Sequence, residues 1–188
     1  MVLETERLVL RPFTASDADL LVWLLGEPLV MRYVDDGRPV PRERVEREVL
    51  PRVVGEGSGW WAAHEKAAGG KAAHEKAAGG KSGHDKAVGA FIGWFELSRA
   101  GDGVAELGYR PHPGSWGRGY ATEGARALVA HGFASGLTKV VATAMAVNTG
   151  SRRVLEKVGL RHVRTFHADW PDPAEGAEHG DVEYELVG

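Results

Sequence analysis

Gly117 and Gly119, with Ala121 following, remove side chains where a short strand hands over to a helix. A bare loop at a helix N-terminus lets several backbone N–H groups point outward together, beside the positive end of the helix dipole. That arrangement makes an anion pocket, suited to phosphate. The loop lacks the G-K-[ST] of a nucleoside-triphosphate loop and the full G-x-G-x-x-G of a dinucleotide fingerprint. Taken alone, it also fits a tight turn whose glycines serve backbone geometry only.

Two elements must hold this loop in place. Val104–Arg110 reads as a strand, and Ala121–Ala134 as a helix, because Ala121, Ala125, Leu128, Val129 and Phe133 recur three and four apart on one face. Downstream, Lys139–Ala146 is a further strand. Val147–Val158 is then a helix started by Asn148 or Thr149 and stopped at Gly159. Without other information, Asn148 or Thr149 merely caps this helix and Ser151 sits in its first turn.

Trp116–Glu123 together with Asn148–Leu160 resembles the GNAT superfamily of acyl-CoA-dependent N-acetyltransferases. Within it, the chain looks most like the ribosomal-protein N-terminal (Rim-type) branch, whose first strand the opening Glu4–Pro12 is similar to. The likeness covers nearly the whole chain. One departure is Trp116, which stands where the family loop usually carries Arg or Gln. The resemblance implies a single α/β (α+β) domain over residues 1–188. Its central sheet would be mixed and mostly antiparallel, with a splayed parallel strand pair and helices on both faces; outside the resemblance, the repeat over residues 62–81 adds an inserted hairpin arm.

The resemblance also implies site residues. Acetyl-CoA would be held by Trp116, Gly117, Arg118, Gly119, Tyr120 and Ala121, with the pantetheine arm between Val104–Arg110 and Lys139–Ala146. Asn148 resembles the family's pantetheine-holding asparagine. Ser151 resembles the serine placed near the sulfur, able to protonate the leaving thiolate. For the general base, Glu106 corresponds to a position where many relatives carry a catalytic glutamate, and Asp169 lies near where Rim-type enzymes place theirs; Glu106 is ranked first. The implied reaction moves acetyl from acetyl-CoA to a primary amine, a protein N-terminus or a small molecule, by direct attack in a ternary complex. The competing reading is a non-catalytic acyl-CoA-binding or oligomerisation module.

Composition narrows the rest. A net charge of -3 argues against a nonspecific nucleic-acid binder, and the absence of cysteine removes disulfides, thiolate metal sites and cysteine nucleophiles. No apolar run approaches the ~20 residues of a membrane span, and Glu4 and Glu6 do not suit a signal peptide, so a soluble cytoplasmic protein is expected.

The remaining elements read from local pattern. Residues 6–12 make an edge strand, followed by a helix capped by Thr14 or Ser16, with Leu20, Leu21, Leu24 and Leu25 buried and Gly26 at its end. A charged helix is expected over 41–54, and by resemblance these helices and the loop between them form a wall of the acceptor site. On the strand Ala90–Leu97, strict alternation places Phe91, Phe95 and Leu97 on one face and Ile92 and Trp94 on the other. His162–Ala168 and Asp181–Leu186 are the last strands. Trp23, Trp60, Trp61 and Trp94 belong to the core or to an acceptor cleft.

Residues 62–81 are the anomaly, for Ala62–Lys71 reads AAHEKAAGGK and Ala72–Lys81 repeats it without change; a drifted third copy follows at Ser82–Gly89. The pattern is a duplicated decapeptide inserted in a hairpin. With alanine as its only apolar side chain it needs outside support to order, as extra strands in preference to helix. A projecting arm with unpaired edges invites homo-oligomerisation. His64, His74 and His84 recur every ten residues, but the lysine near each would repel a cation, so no metal is expected.

Overall fold

The computed structural model describes residues 1–55, 57–67, 88–169 and 171–188. Its strands are β1 (Leu3–Glu4), β2 (Leu8–Pro12), β3 (Trp60–Lys66), β4 (Val88–Gly101), β5 (Val104–Pro111), β6 (Lys139–Met145), β7 (Arg161–Phe166) and β8 (Asp181–Val187). They form one sheet in the order β1-β2-β3-β4-β5-β6-β8-β7. Every pairing is antiparallel except β5 with β6. That exception follows from the crossover through α5 (Tyr120–Ala134), since a helical connection returns the chain in the same direction.

Two apolar cores lie against the sheet. One gathers Leu8, Phe95, Leu107, Val140 and Tyr184 under the stripe Ala125, Leu128 and Val129 of α5 and Leu155 of α6 (Thr149–Val158). The other joins Phe13, Trp60, Ala62 and Trp94 to Leu21, Leu24 and Leu25 of α1 (Ala18–Leu25), Val30 and Met31 of α2 (Pro28–Met31), and Val45 and Val53. Leu20, expected in the α1 stripe, is half-buried.

The charged segment over 41–54 is helical but not regular. It runs α3 (Arg42–Arg44), a π-helical turn Val45–Val49, and α4 (Leu50–Val53). Pro51 has no N–H for the carbonyl four residues back and its ring crowds that carbonyl. The wider turn, in which Leu50 N–H reaches Val45 O, accommodates it.

The alternation expected on β4 fails at Gly93. Between Ala63 and His64 of β3, the partner register jumps from Gly93 to Phe91, so Ile92 is an extra residue. Its insertion puts Ile92 with Phe95 and Leu97 on the α5 side, and Phe91 with Trp94 on the other. Gly93 takes φ +145, and a Cβ there would lie 2.2 Å from the Arg110 carbonyl oxygen. Only glycine fits so close a strand crossing.

Ala62–Lys66, the first half of the first repeat copy, belongs to β3, where Ala62 and Ala63 are fully buried against the two cores. His64 is also buried, beside the Phe91 ring. The strand extension expected for the later copies, with His74 and His84, lies outside the described residues.

A cleft between parted strands

β5 and β6 pair only over Val104–Glu106 and Lys139–Val141. Beyond that point β6 continues along β8 and β5 continues along β4, so the two parallel strands part and leave a notch lined by unshared backbone edges. Two cavities meet there. One, of about 510 Å³, runs past Trp116, Gly117, Gly119, Tyr120 and Ala121 to the first turns of α6. The other, of about 640 Å³, lies on the opposite side under α1, α3 and α4, and is lined by Trp94, Glu96, Glu106 and Gly108. Tyr33, Val34, Tyr109, Arg110, Asn148 and Ser151 line both, marking the passage between them.

At the mouth of the first cavity, Gly117 and Gly119 adopt left-handed φ of +73 and +84, and Gly119 is the N-cap of α5. Among the described residues, no backbone hydrogen bond uses the N–H groups of Gly117, Arg118 or Gly119. A Cβ on Gly117 would meet nothing within 4 Å. The loop therefore offers unspent donors at the positive end of a long helix, which fits a diphosphate. Its position is fixed from below. Glu123 in the first turn of α5 accepts from Thr5 Oγ1 (2.6 Å), Arg7 N (2.8 Å) and Arg7 Nε (2.7 Å), while Arg7 Nη1 donates to the Arg118 carbonyl at 2.9 Å. The opening strand and the glycine loop, read separately in the sequence, are thus one cross-braced unit.

Of the expected cofactor residues, Trp116, Gly117, Gly119, Tyr120, Ala121, Asn148 and Ser151 line this cavity. Arg118 does not. Its guanidinium pairs with Glu65 at 3.0 Å and stacks over Tyr120 at 4.7 Å, with Arg7 on the ring at 4.6 Å. Tyr120 itself donates to Glu65. Positive charge beside the cavity comes instead from Arg153 and Lys157 of α6, with Arg110 at the passage. Their i, i+4 spacing with Thr149 was the available signal.

Asn148 caps α6, its Oδ1 accepting from Ser151 N–H at 3.0 Å. Tyr109, which sequence reasoning passed over, donates its hydroxyl to the Ser151 carbonyl at 2.9 Å and shares a hydrogen bond of 3.1 Å with Ser151 Oγ. Burial pushes the Tyr109 phenol well above its ordinary range, so it stays a neutral proton donor. These contacts hook β5 to α6 across the notch.

The two expected bases fall in different places. Glu106, itself exposed between buried Ala105 and Leu107, lines the larger cavity from the part of β5 still paired with β6. Asp169 is exposed beyond β7 and lines neither cavity. A third carboxylate, Glu96, was missed. It stands on β4 opposite Gly108, with its Oε2 3.0 Å from where a Gly108 Cβ would be. The missing side chain lets this carboxylate fold over β5 where the strands begin to part. Burial pushes Glu96 up from the ordinary carboxyl value and the charge of Glu106 adds to the rise, while the hydrogen bond from Ser98 (2.8 Å) opposes it.

A family model described as acetyltransferase (GNAT) domain matches residues 7–161. The chain belongs to the GNAT acetyltransferase family. As a GNAT protein it is an acyl-CoA-dependent N-acetyltransferase that uses acetyl-CoA and acts on an amine. It is 30% identical to the FsC-acetyl coenzyme A-N(2)-transacetylase of Aspergillus fumigatus, over 98% of this chain and 75% of the relative. Its fold matches a GNAT-family acetyltransferase from Bacillus anthracis with TM-score 0.76 at 21% identity, over 100% of this chain and 98% of that one. RimL, a ribosomal alpha-N-protein acetyltransferase solved with coenzyme A, matches with TM-score 0.72 at 14% identity over 100% and 98%. A spermidine N-acetyltransferase from Vibrio cholerae, solved with coenzyme A and spermine, matches with TM-score 0.70 at 15% identity over 97% and 96%. The Rim-type branch is thus one of several at similar likeness. Among the described residues no helix is long and apolar enough to cross a membrane.

Proposed function

We propose that this GNAT enzyme acetylates the primary amine of a small molecule by direct attack within a ternary complex. The observation that carries this reading is the passage between the cavities, where a donor-rich cleft and a separate charged chamber meet at the same few residues. The chamber's volume of about 640 Å³ suits a small ligand, pockets for which span about 300–1,000 Å³. With no cysteine in the chain, transfer through a cysteinyl acyl-enzyme has no nucleophile.

When bound, acetyl-CoA supplies the reactive thioester. The amides of Gly117, Gly119 and Tyr120 hold its diphosphate, with Arg153 and Lys157 adding charge, and the parted edges of β5 and β6 receive the pantetheine arm. An N–H of β5 near Gly108 polarises the carbonyl. The acceptor ammonium loses its proton to Glu96 or, through water, to Glu106. Glu96 is favoured because its carboxylate lies over Gly108 and burial raises its affinity for protons. Ser151, aligned by Tyr109, protonates the departing sulfur. Asp169 would have to act from outside both cavities and is set aside as base.

The Rim-type reading, with a protein N-terminus as acceptor, is supported by the opening strand and its tie to Glu123. A panel of small amines and amino-terminal peptides, assayed by thiol release from acetyl-CoA, tests both. Turnover confined to peptides would overturn the small-molecule reading. Silence across the panel would overturn the proposed acceptor class altogether.

A further inference from the structure

The chamber wall carries both signs of charge, and they are not matched internally. Of its cations, Arg44 is paired with Glu48 at 3.0 Å. Arg110 and Arg52 have no acidic partner within 4.0 Å among the described residues. Each is laid on an aromatic ring instead. The Arg110 guanidinium is 4.5 Å from the Trp94 ring centroid, and that of Arg52 is 5.3 Å from Trp60. The two tryptophans are themselves packed edge-to-face at 4.7 Å and buried, so they form a fixed platform. A guanidinium stacked this way keeps its fork of N–H donors directed at the cavity, with little left to order on binding.

Arg110 stands opposite Trp94 and Glu96 opposite Gly108, on alternate rungs of the β4–β5 ladder with the Phe95–Tyr109 pair between them. Two residues along a strand, these rungs are about 6.6 Å apart. Arg110 also lines both cavities, at the passage, whereas Glu96 lines the chamber alone. Burial disfavours the charge of Arg110, and Asp35 and Glu96 compensate only from a distance. A bound anion would complete what the fold leaves open.

We infer that the acceptor is an amino acid or amino-acid derivative, its amine held at Glu96 and a carboxylate on the same molecule gripped by Arg110. This deepens the acetyltransferase reading above and rests on it. A simple polyamine would satisfy Glu96, Glu106, Asp35 and Asp181 but would leave both guanidiniums facing its own positive charge. A substrate with charges of both signs satisfies the whole wall.

The test compares three amines that differ only in the carboxylate: lysine, lysinamide and cadaverine. Acetylation is followed by thiol release, and binding by calorimetry on the protein saturated with coenzyme A, which needs no turnover. Lysine is expected to exceed both others in kcat/KM and in affinity by on the order of ten- to a hundredfold, the worth of a charge-assisted hydrogen-bond pair. In Arg110→Gln that ratio collapses toward one, and Arg110→Lys, which keeps the charge but not the fork, restores part of it. Equal or better use of cadaverine by the unmodified protein overturns the inference without touching the transferase reading. So does a loss in Arg110→Gln that appears in the KM for acetyl-CoA and leaves the lysine-to-cadaverine ratio intact. Carboxylate-dependent binding with no thiol released would make the amino acid a ligand of the chamber and overturn its assignment as the acceptor.

Discussion

Substituting Gly119 by alanine tests the anion cradle directly. Residue 119 has φ +84, and an added Cβ would meet only the outer end of the Arg7 side chain, at 3.3 Å. Space is therefore not the obstacle. The cost is the left-handed backbone itself, about 1–2 kcal/mol for an L-residue. Because the loop is exposed, the unliganded variant relieves that strain by turning residue 119 out of the left-handed region, which rotates its amide away from the cradle. Binding of the cofactor must then restore the strained form. The penalty appears as lost affinity, roughly five- to thirtyfold, with little loss of stability. Gly124→Ala is the contrasting control, because its Cβ would fall 2.5 Å from the Phe95 ring inside the core. Its penalty, about 1–3 kcal/mol, appears in denaturant unfolding and not in cofactor affinity. Calorimetric titration with coenzyme A and urea melts of both variants separate the cases. Undiminished affinity in Gly119→Ala, with the strain appearing instead in the melt, would refute the argument that these amides hold the diphosphate.

Glu96→Gln is predicted to stabilise the fold near neutral pH while lowering kcat by about 10²- to 10⁴-fold. Because the folded-state pKa of Glu96 is raised, its ionised form costs stability above that value, and the gap between variant and parent closes as pH falls through it. Melts and kinetics across pH check both halves, and a gap that widens on acidification is the wrong sign. Asp17→Ala removes a carboxylate that accepts from Arg11 Nη1 and Nη2, at 2.7 and 2.8 Å, and from the Thr14 N–H at 2.7 Å. A loss of about 3–5 kcal/mol in urea unfolding is expected for so buried a pair. Burial alone would raise the Asp17 pKa, but the Arg11 and Thr14 hydrogen bonds outweigh it and the net shift is downward. The parent's advantage is therefore full above the ordinary carboxyl range and disappears as pH falls through the lowered value. Tyr109→Phe and Ser151→Ala should each lower kcat and be non-additive, with a coupling of about 0.5–1.5 kcal/mol; strictly additive losses would separate the two hydroxyls.

What the sequence revealed was periodic or punctuated. The α5 stripe, the last strand at Asp181–Leu186, the glycines before α5 and Asn148 before α6 each declare themselves within a few residues, and each is where it was expected. What stayed hidden depends on partners far along the chain. Glu96 is one of many acidic residues until the β4–β5 register sets it over Gly108. Arg118 reads as a phosphate contact until Glu65, 53 positions away, claims it. The faces of β4 were misread because one extra residue at a bulge reverses alternation, and only the backbone clash at Gly93 reveals why. The π-helical turn before Pro51 had a local signal in the proline itself, but a proline there fits equally a helix end.

β5 and β6 part beyond Glu106 and Val141, and the Tyr109 hydroxyl on Ser151 braces the notch from the side of α6. No strand has to be peeled from its neighbour to admit the cofactor's arm. In rapid-mixing experiments the observed association rate should therefore climb in proportion to coenzyme concentration, without levelling off at a ceiling set by a slow opening event.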